Sequence, residues 1–168
     1  MWPEWRGLSV AVRTVAVVGY GDIGRNTARR LLAADMRVIA YDPYVEASSL
    51  EGGVSLATWP ERIQEADFVV VNCALTASSH HLLNAEAFAA MKPGVRVVNV
   101  GRGPVIDEQA LIAALASGKV HSAALDVFEQ EPLPADSPLR THPFCIFGSH
   151  NASNTVDGVE RTSQKAIQ

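Results

Sequence analysis

The stretch VAVVGYGDIGR, Val15 to Arg25, limits what this chain can fold into more than any other. An apolar, β-branched run from Thr14 to Val18 reads as a strand. It leads at once into Gly19, Gly21 and Gly24 in G-x-G-x-x-G order. A helix-type run follows, Gly24 to Ala34, with Ala28, Leu31 and Leu32 turned inward. Each glycine has a physical purpose in such a turn. The first lets the chain reverse sharply, the second lets a pyrophosphate approach the backbone, and the third lets helix and strand pack closely. The free N–H groups at the helix start, with the macrodipole behind them, attract an anion. A second strand, Arg37 to Tyr41, ends in VIAYDP, which places Asp42 eighteen residues after Gly24. A carboxylate there can accept hydrogen bonds from ribose hydroxyls and would repel the extra phosphate of NADP. The expected cofactor is therefore NAD rather than NADP. Asp22, close to the expected pyrophosphate, is a discord. Its side chain is expected to face solvent, with Arg25 offsetting its charge.

The same alternation continues. A weaker helix around Pro60 to Ala66 leads to strand Asp67 to Asn72, and a helix at Ala85 to Met91 is stopped by Lys92-Pro93-Gly94. Then come strand Val95 to Val100, helix Glu108 to Ser117 ending at Gly118, and strand Ser122 to Asp126. After a loop rich in proline and acid, Glu129 to Pro143, a last strand is expected at Cys145 to Gly148 and a last helix at Thr155 to Ile167. The stretch from Tyr41 to Val54 reads as a loop. Near-continuous apolar strands alternating with helices predict an α/β fold: a Rossmann-type, doubly wound parallel sheet in three α/β/α layers, forming a single domain.

Composition closes off several function classes. The 168 residues are 48% hydrophobic, enough for one domain with a core. A net charge of −4 gives no basic footprint for nucleic acid. The longest apolar runs, such as Phe68 to Val71, are too short to span a membrane. The start, MWPEWRGLSV, has an early acid and no long apolar core, so no signal peptide and a cytoplasmic protein are expected. Cys73 and Cys145 lie far apart in sequence and are expected to be reduced, buried thiols. His80-His81 lacks further ligands nearby, and no metal site is expected.

A second candidate site lies downstream. In VRVVNVGRGPVIDE, Arg102 stands between two glycines just past a predicted central strand. Ligands of open α/β sheets bind at that edge. A guanidinium there can take a carboxylate in a two-pronged pair. ALDVFEQEPLP closes the next strand with Asp126 and carries Glu129 and Glu131 in the loop beyond, and IFGSHNAS places His150 after the last strand. If all strands are parallel, these groups emerge at one edge. Histidine suits reversible proton transfer to a carbonyl or alcohol oxygen, and a carboxylate on its other nitrogen would orient it. Spacing alone does not separate this from three unrelated surface residues.

Taken together, GYGDIG, YDP, NVGRGPVIDEQALIAAL, ALDVFEQEPLP and SHNA resemble the NAD-binding domain of the D-isomer-specific 2-hydroxyacid dehydrogenases, from about Val15 to the end. The resemblance implies an oxidoreductase moving hydride between NAD(H) and a small 2-oxo or 2-hydroxy acid. It implies that Arg102 binds the substrate carboxylate and keto oxygen, that His150 is the general acid/base, and that Glu131 orients and charges that histidine. It gives no role to Glu129. Backbone at Gly19, Gly21, Asp22, Ile23 and Gly24 would meet the pyrophosphate, and Asp42 the ribose. Ala74, Val100 and Gly101 would line the cofactor, Asp126 would bond the nicotinamide amide, and His150, Asn151, Ala152 and Ser153 would flank it.

Several positions depart from the family pattern. Ser149 replaces a usual proline, Asn151-Ala152-Ser153-Asn154 replaces small apolar residues, and Ala74 stands where proline is common. The family also has a second, substrate-binding domain, which is expected to be absent here. Residues 1–13 would then be an N-terminal remnant of the interdomain segment and 14–168 the NAD-binding domain. The expectation is NAD binding with weak or no turnover by this chain, and a homodimer for the full-length parent. Trp2 and Trp5 are expected to be exposed. The alternative reading is a non-catalytic NAD-sensing module, like the family's corepressor relatives.

Overall fold

The computed structural model describes residues 7–167, so Trp2 and Trp5 lie outside the described residues. Seven strands form one sheet: β1 (Thr14–Val18), β2 (Arg37–Tyr41), β3 (Val54–Leu56), β4 (Phe68–Val71), β5 (Val95–Asn99), β6 (Val120–Leu125) and β7 (Cys145–Phe147). Their order is β3-β2-β1-β4-β5-β6-β7, and every pairing is parallel. This is the expected Rossmann-type α/β sheet. From β1 the chain winds outward one way through β2 and β3, then returns to place β4 on the other side of β1. That reversal opens the crevice between the ends of β1 and β4 where ligands of such sheets sit.

Side chains alternate faces along each strand, and the core divides accordingly. Val15, Val17, Val38 and Ala40 pack on one face with Ala28 and Leu31 of α1 (Asp22–Ala33). Ala16, Val18, Ile39, Val69, Val71 and Val97 pack on the other with Phe88 of α2 (Ala85–Ala90) and Leu111 and Leu115 of α3 (Glu108–Ala116). Asn84 and Asp107 cap α2 and α3 by accepting the N–H groups of Ala87 and Ala110 at 3.0 Å each. No residue of α4 (Val156–Ile167) is buried. No helix among the described residues is long and apolar enough to cross a membrane.

The N-terminal edge of the sheet is fastened by one buried carboxylate. Asp67 accepts the Thr14 N–H at 3.0 Å and the Lys92 ammonium at 2.6 Å, with Arg13 at 3.6 Å. Burial pushes this carboxyl up, but the Lys92 and Thr14 hydrogen bonds and the Lys92 and Arg13 charges outweigh it and hold it below its ordinary range.

Four expectations need correction. Strand β3 is not among the expected elements, and the expected loop Tyr41 to Val54 runs into its first residue: it is an exposed Ser55 between half-buried Val54 and Leu56 at a sheet edge, too short to show a period. The segment 60–66 is not an α-helix but a turn and a single 3₁₀ turn, Ile63–Glu65, with Ile63 alone buried in it. Helix α1 begins two residues earlier than Gly24, because Gly21 acts as its N-cap and its carbonyl already accepts from Arg25 at 2.9 Å. Strand β6 likewise begins at Val120, since the register with β5 reaches back to Val95 across a bulge.

Candidate active site

Gly19 and Gly24 are demanded by the local packing. Gly19 has φ +91°, and a Cβ on it would stand 2.5 Å from the backbone nitrogen of Cys73 at the end of β4. A Cβ on Gly24 would lie 2.0 Å from the Gly19 carbonyl oxygen. Gly21 differs: a Cβ there would touch nothing within 4 Å. Its lack of a side chain therefore serves no contact inside the protein and leaves an open approach to the first turn of α1. Asp22 and Ile23 are exposed in that turn. Arg25 does not offset Asp22. It donates to the Ser49 carbonyl at 2.7 Å and lies over the Tyr20 ring.

Asp42 sits at the end of β2 with both oxygens anchored. One accepts the N–H of Tyr20 at 2.8 Å, and the other accepts that of Tyr44 at 3.0 Å. Each oxygen keeps a lone pair for a further donor. Gly101 closes the crevice from the β5 side: a Cβ there would be 2.9 Å from the Cys73 carbonyl. Val100 is half-buried beside it and Ala74 exposed. Asn72, at the end of β4, has both amide atoms buried without a partner among the described residues. An open glycine at a helix N-terminus, an anchored carboxylate at the next strand end and an orphaned amide at the switch point suit a dinucleotide.

The second group gathers at the C-terminal ends of β5, β6 and β7. Arg102 follows β5 and is exposed; its guanidinium donates to the Gly101 carbonyl at 2.7 Å. Among the described residues no carboxylate is within ion-pair distance of it. Gly103 lets this loop lie against the next, since a Cβ on it would fall 1.8 Å from the Phe128 carbonyl oxygen. The Nδ1 atom of His150 lies 2.7 Å from Oε2 of Glu131, and Oε1 of Glu131 accepts the Phe128 N–H at 3.0 Å. The His150 hydrogen bond first, then that of Phe128, holds the Glu131 carboxyl below its ordinary range.

His150 takes a left-handed backbone, φ +58°, which costs a non-glycine residue about 1–3 kcal/mol. Asp126 holds it there. Its carbonyl accepts the His150 N–H at 2.8 Å, and its carboxylate accepts the N–H groups of Asn151 at 3.1 Å and Ala152 at 2.8 Å. Gly148 is needed beside it, because a Cβ would fall 2.0 Å from an Asp126 oxygen. The carboxylate that the resemblance pointed toward a nicotinamide amide thus also builds the turn that presents the histidine. Ser153 lies beyond this contact, exposed.

The remaining chemistry-bearing residues separate from this group. Cys73 and Cys145 are half-buried rather than buried, and both are free thiols. Burial pushes both thiols up, away from reactive thiolate. The His80 and His81 rings stack at 4.0 Å, and His81 Nε2 meets the Glu129 carboxylate. That contact was not legible in the sequence, where the two residues stand 48 positions apart.

The family described as "D-isomer specific 2-hydroxyacid dehydrogenase, NAD binding domain" matches residues 1–152. The chain is 42% identical over 161 residues to D-3-phosphoglycerate dehydrogenase 3, chloroplastic, of Arabidopsis thaliana, covering 95% of this chain and 27% of that protein. It is 42% identical over 155 residues to glyoxylate/hydroxypyruvate reductase B of Escherichia fergusonii, covering 91% and 48%. A D-isomer specific 2-hydroxyacid dehydrogenase from Xanthobacter autotrophicus Py2, crystallised with NADPH and MES, superposes with a TM-score of 0.81 at 38% identity, covering 89% of this chain and 48% of that one. The chain therefore spans about a quarter to a half of the length of these relatives.

Proposed function

The chain belongs to the D-isomer specific 2-hydroxyacid dehydrogenases through their NAD binding domain, and from that premise we propose that it is the cofactor-binding half of an enzyme interconverting a small 2-oxo acid and its D-2-hydroxy acid. The observation that carries the catalytic part is the 2.7 Å contact of His150 and Glu131 at the same sheet edge as Arg102, which has no carboxylate partner among the described residues. The nicotinamide, when bound, supplies or accepts the hydride. Arg102 swings from its own backbone carbonyl to take the substrate carboxylate, since a guanidinium bonds a carboxylate more strongly than a neutral carbonyl. Glu131 occupies Nδ1 of His150 and so leaves Nε2 as the nitrogen that exchanges a proton with the substrate oxygen. The Arg102 charge also stabilises that oxygen as negative charge develops on it. Asp126 keeps His150 in its left-handed turn. Asp42, Gly21 and the first turn of α1 hold the dinucleotide, with NAD preferred over NADP.

These groups stand in solvent: the side chains of His150 and Glu131 are 49% and 37% exposed. Water competes for every charge in such a site. We therefore expect this chain to bind NADH and to turn substrate over weakly. Binding is followed by the nucleotide's fluorescence, and turnover by loss of its absorbance with glyoxylate or hydroxypyruvate. The expected result is saturable NADH binding, stronger than NADPH, with slow oxidation abolished by His150→Gln while NADH still binds. Absence of NADH binding refutes the reading, and robust reduction of glyoxylate by the chain alone refutes the expectation of weak turnover. The alternative, a non-catalytic NAD sensor, predicts NADH binding with no oxidation at all, and the relatives reported above are named as dehydrogenases and reductases, which favours the enzyme.

A further inference from the structure

Resting on the reading just given, we propose that Glu129, gripped by His81 and by the first turn of α3, is a positioning residue that fixes the Glu131 loop against the Arg102 loop. Oε1 of Glu129 meets His81 Nε2, and Oε2 accepts the N–H of Glu108, the first residue of α3, at 3.0 Å. The N–H of Glu129 in turn faces a Glu108 oxygen at 3.4 Å.

Both partners of Glu129 are tied to the Arg102 segment. The His81 N–H donates to the Pro104 carbonyl at 2.8 Å, and Leu83 runs parallel to Ile106, its N–H donating to Val105 at 3.1 Å and its carbonyl accepting from Asp107 at 3.1 Å. Glu108 follows directly on that stretch. One carboxylate thus joins the loop after β6 to the first residue of α3 and, through His81 of the segment after β4, to Pro104 in the loop after β5. Two residues further on, Glu131 holds His150.

The charges explain why a carboxylate belongs there. Burial pushes the Glu108 carboxyl up, the Glu129 N–H opposes this, and the Glu129 charge adds to the rise. Two acids this close repel. The arrangement holds because Glu129 lies at the N-terminus of a nine-residue helix, where unsatisfied N–H groups and the macrodipole favour an anion, and because His81 supplies a second partner. Without the Glu129 carboxylate, the His81 and Glu108 N–H ties are lost, leaving the Glu129 N–H facing Glu108 at 3.4 Å and the close approach of Gly103 to Phe128. The spacing between the carboxylate clamp and the acid/base pair would then loosen, and oriented catalysis is sensitive to displacements of about 1 Å.

The test uses the 168-residue chain and does not depend on turnover. The Glu131 side-chain carboxyl is followed through an acid titration by ¹³C NMR in the parent, Glu129→Gln, His81→Gln and His150→Gln, with an NADH titration on each. In the parent, Glu131 titrates below its ordinary value. In Glu129→Gln its midpoint rises toward the ordinary ~4.3, because the His150 contact loosens, while NADH affinity is unchanged. His81→Gln, which keeps the α3 contact, gives a smaller rise and carries the test if Glu129→Gln fails to fold. A Glu131 midpoint unmoved in whichever of these two variants folds overturns the positioning role. His150→Gln reports on the underlying reading alone: an unmoved Glu131 there refutes the histidine–glutamate pair.

Discussion

Two glycines of one turn should fail in opposite ways when each gains a methyl group. In Gly19→Ala the new Cβ would lie 2.5 Å from the Cys73 nitrogen and 2.6 Å from its Cα, both backbone of the segment just past β4. The residue would also keep φ near +91°, which alanine resists at a cost of about 1–3 kcal/mol. Forcing β1 and β4 apart adds about 1–3 kcal/mol more, as overpacking does elsewhere. The expected loss is about 2–6 kcal/mol, a large share of a typical domain's stability, or roughly 10 °C in melting temperature. Gly21→Ala meets nothing within 4 Å at an allowed φ of −74°. Its stiffening of the unfolded chain is worth about 0.4–1 kcal/mol, and the poorer N-cap takes away a similar amount, so stability should change by less than about 0.5 kcal/mol. Its methyl group stands where the pyrophosphate must approach the α1 N–H groups. Losing one charge-assisted hydrogen bond of about 1.5–3 kcal/mol weakens NADH roughly 10- to 100-fold. Urea unfolding and NADH fluorescence titration on both variants check this. A Gly19→Ala protein as stable as the parent, or a Gly21→Ala protein that binds NADH as the parent does, would refute the assignment of one glycine to packing and the other to ligand.

Other consequences are open to measurement. Asp42→Ala should weaken NADH roughly tenfold and narrow its advantage over NADPH, seen by parallel titrations, since it removes a ribose acceptor and a charge that repels the extra phosphate. Asp67→Asn should cost about 2 kcal/mol in urea unfolding at neutral pH, because Lys92 and Thr14 lose an ionised partner. With its folded-state value below the unfolded ~3.9, the stability from the Asp67 carboxylate is complete at neutral pH and fades as pH falls through the folded value; the asparagine variant should lose that part of the acid dependence. Tyr41 is pushed up to about 12, chiefly by burial, and its hydroxyl donates to the Glu61 carbonyl at 2.7 Å. Its stability contribution is present below the unfolded value near 10 and is lost as pH rises toward 12. Phenolate absorbance should show one late-titrating tyrosine, missing in Tyr41→Phe, and that variant should lose about 1 kcal/mol.

Much of this was legible in the chain because the relevant signals are local. Thr14 to Val18 and Arg37 to Tyr41 were recognised as strands to the residue, since a strand buried on both faces is a continuous β-branched run. One short edge element was not legible: Val54–Leu56 owes its strand conformation to its pairing with β2 rather than to its own composition. Boundaries slipped where a cap or a bulge decided them, as at Gly21 and Val120.

The sequence by itself determined the class of fold, the turn that meets a dinucleotide, and the residue types able to clamp an anion and move a proton. Glycine spacing, β-branched runs and an acid at a strand end act over a few residues, and no distant contact can change their steric and electrostatic meaning. Tertiary structure alone decided which of these residues meet. The pairing of His150 with Glu131, the left-handed turn that Asp126 builds for His150, and the grip of His81 and α3 on Glu129 all join segments 19 to 48 positions apart. They exist because parallel strands deliver every loop to one edge of the sheet. Which side chain reaches which partner there depends on loop path and on glycines with no room for a Cβ, such as Gly103 and Gly148, quantities that no local pattern in the chain encodes.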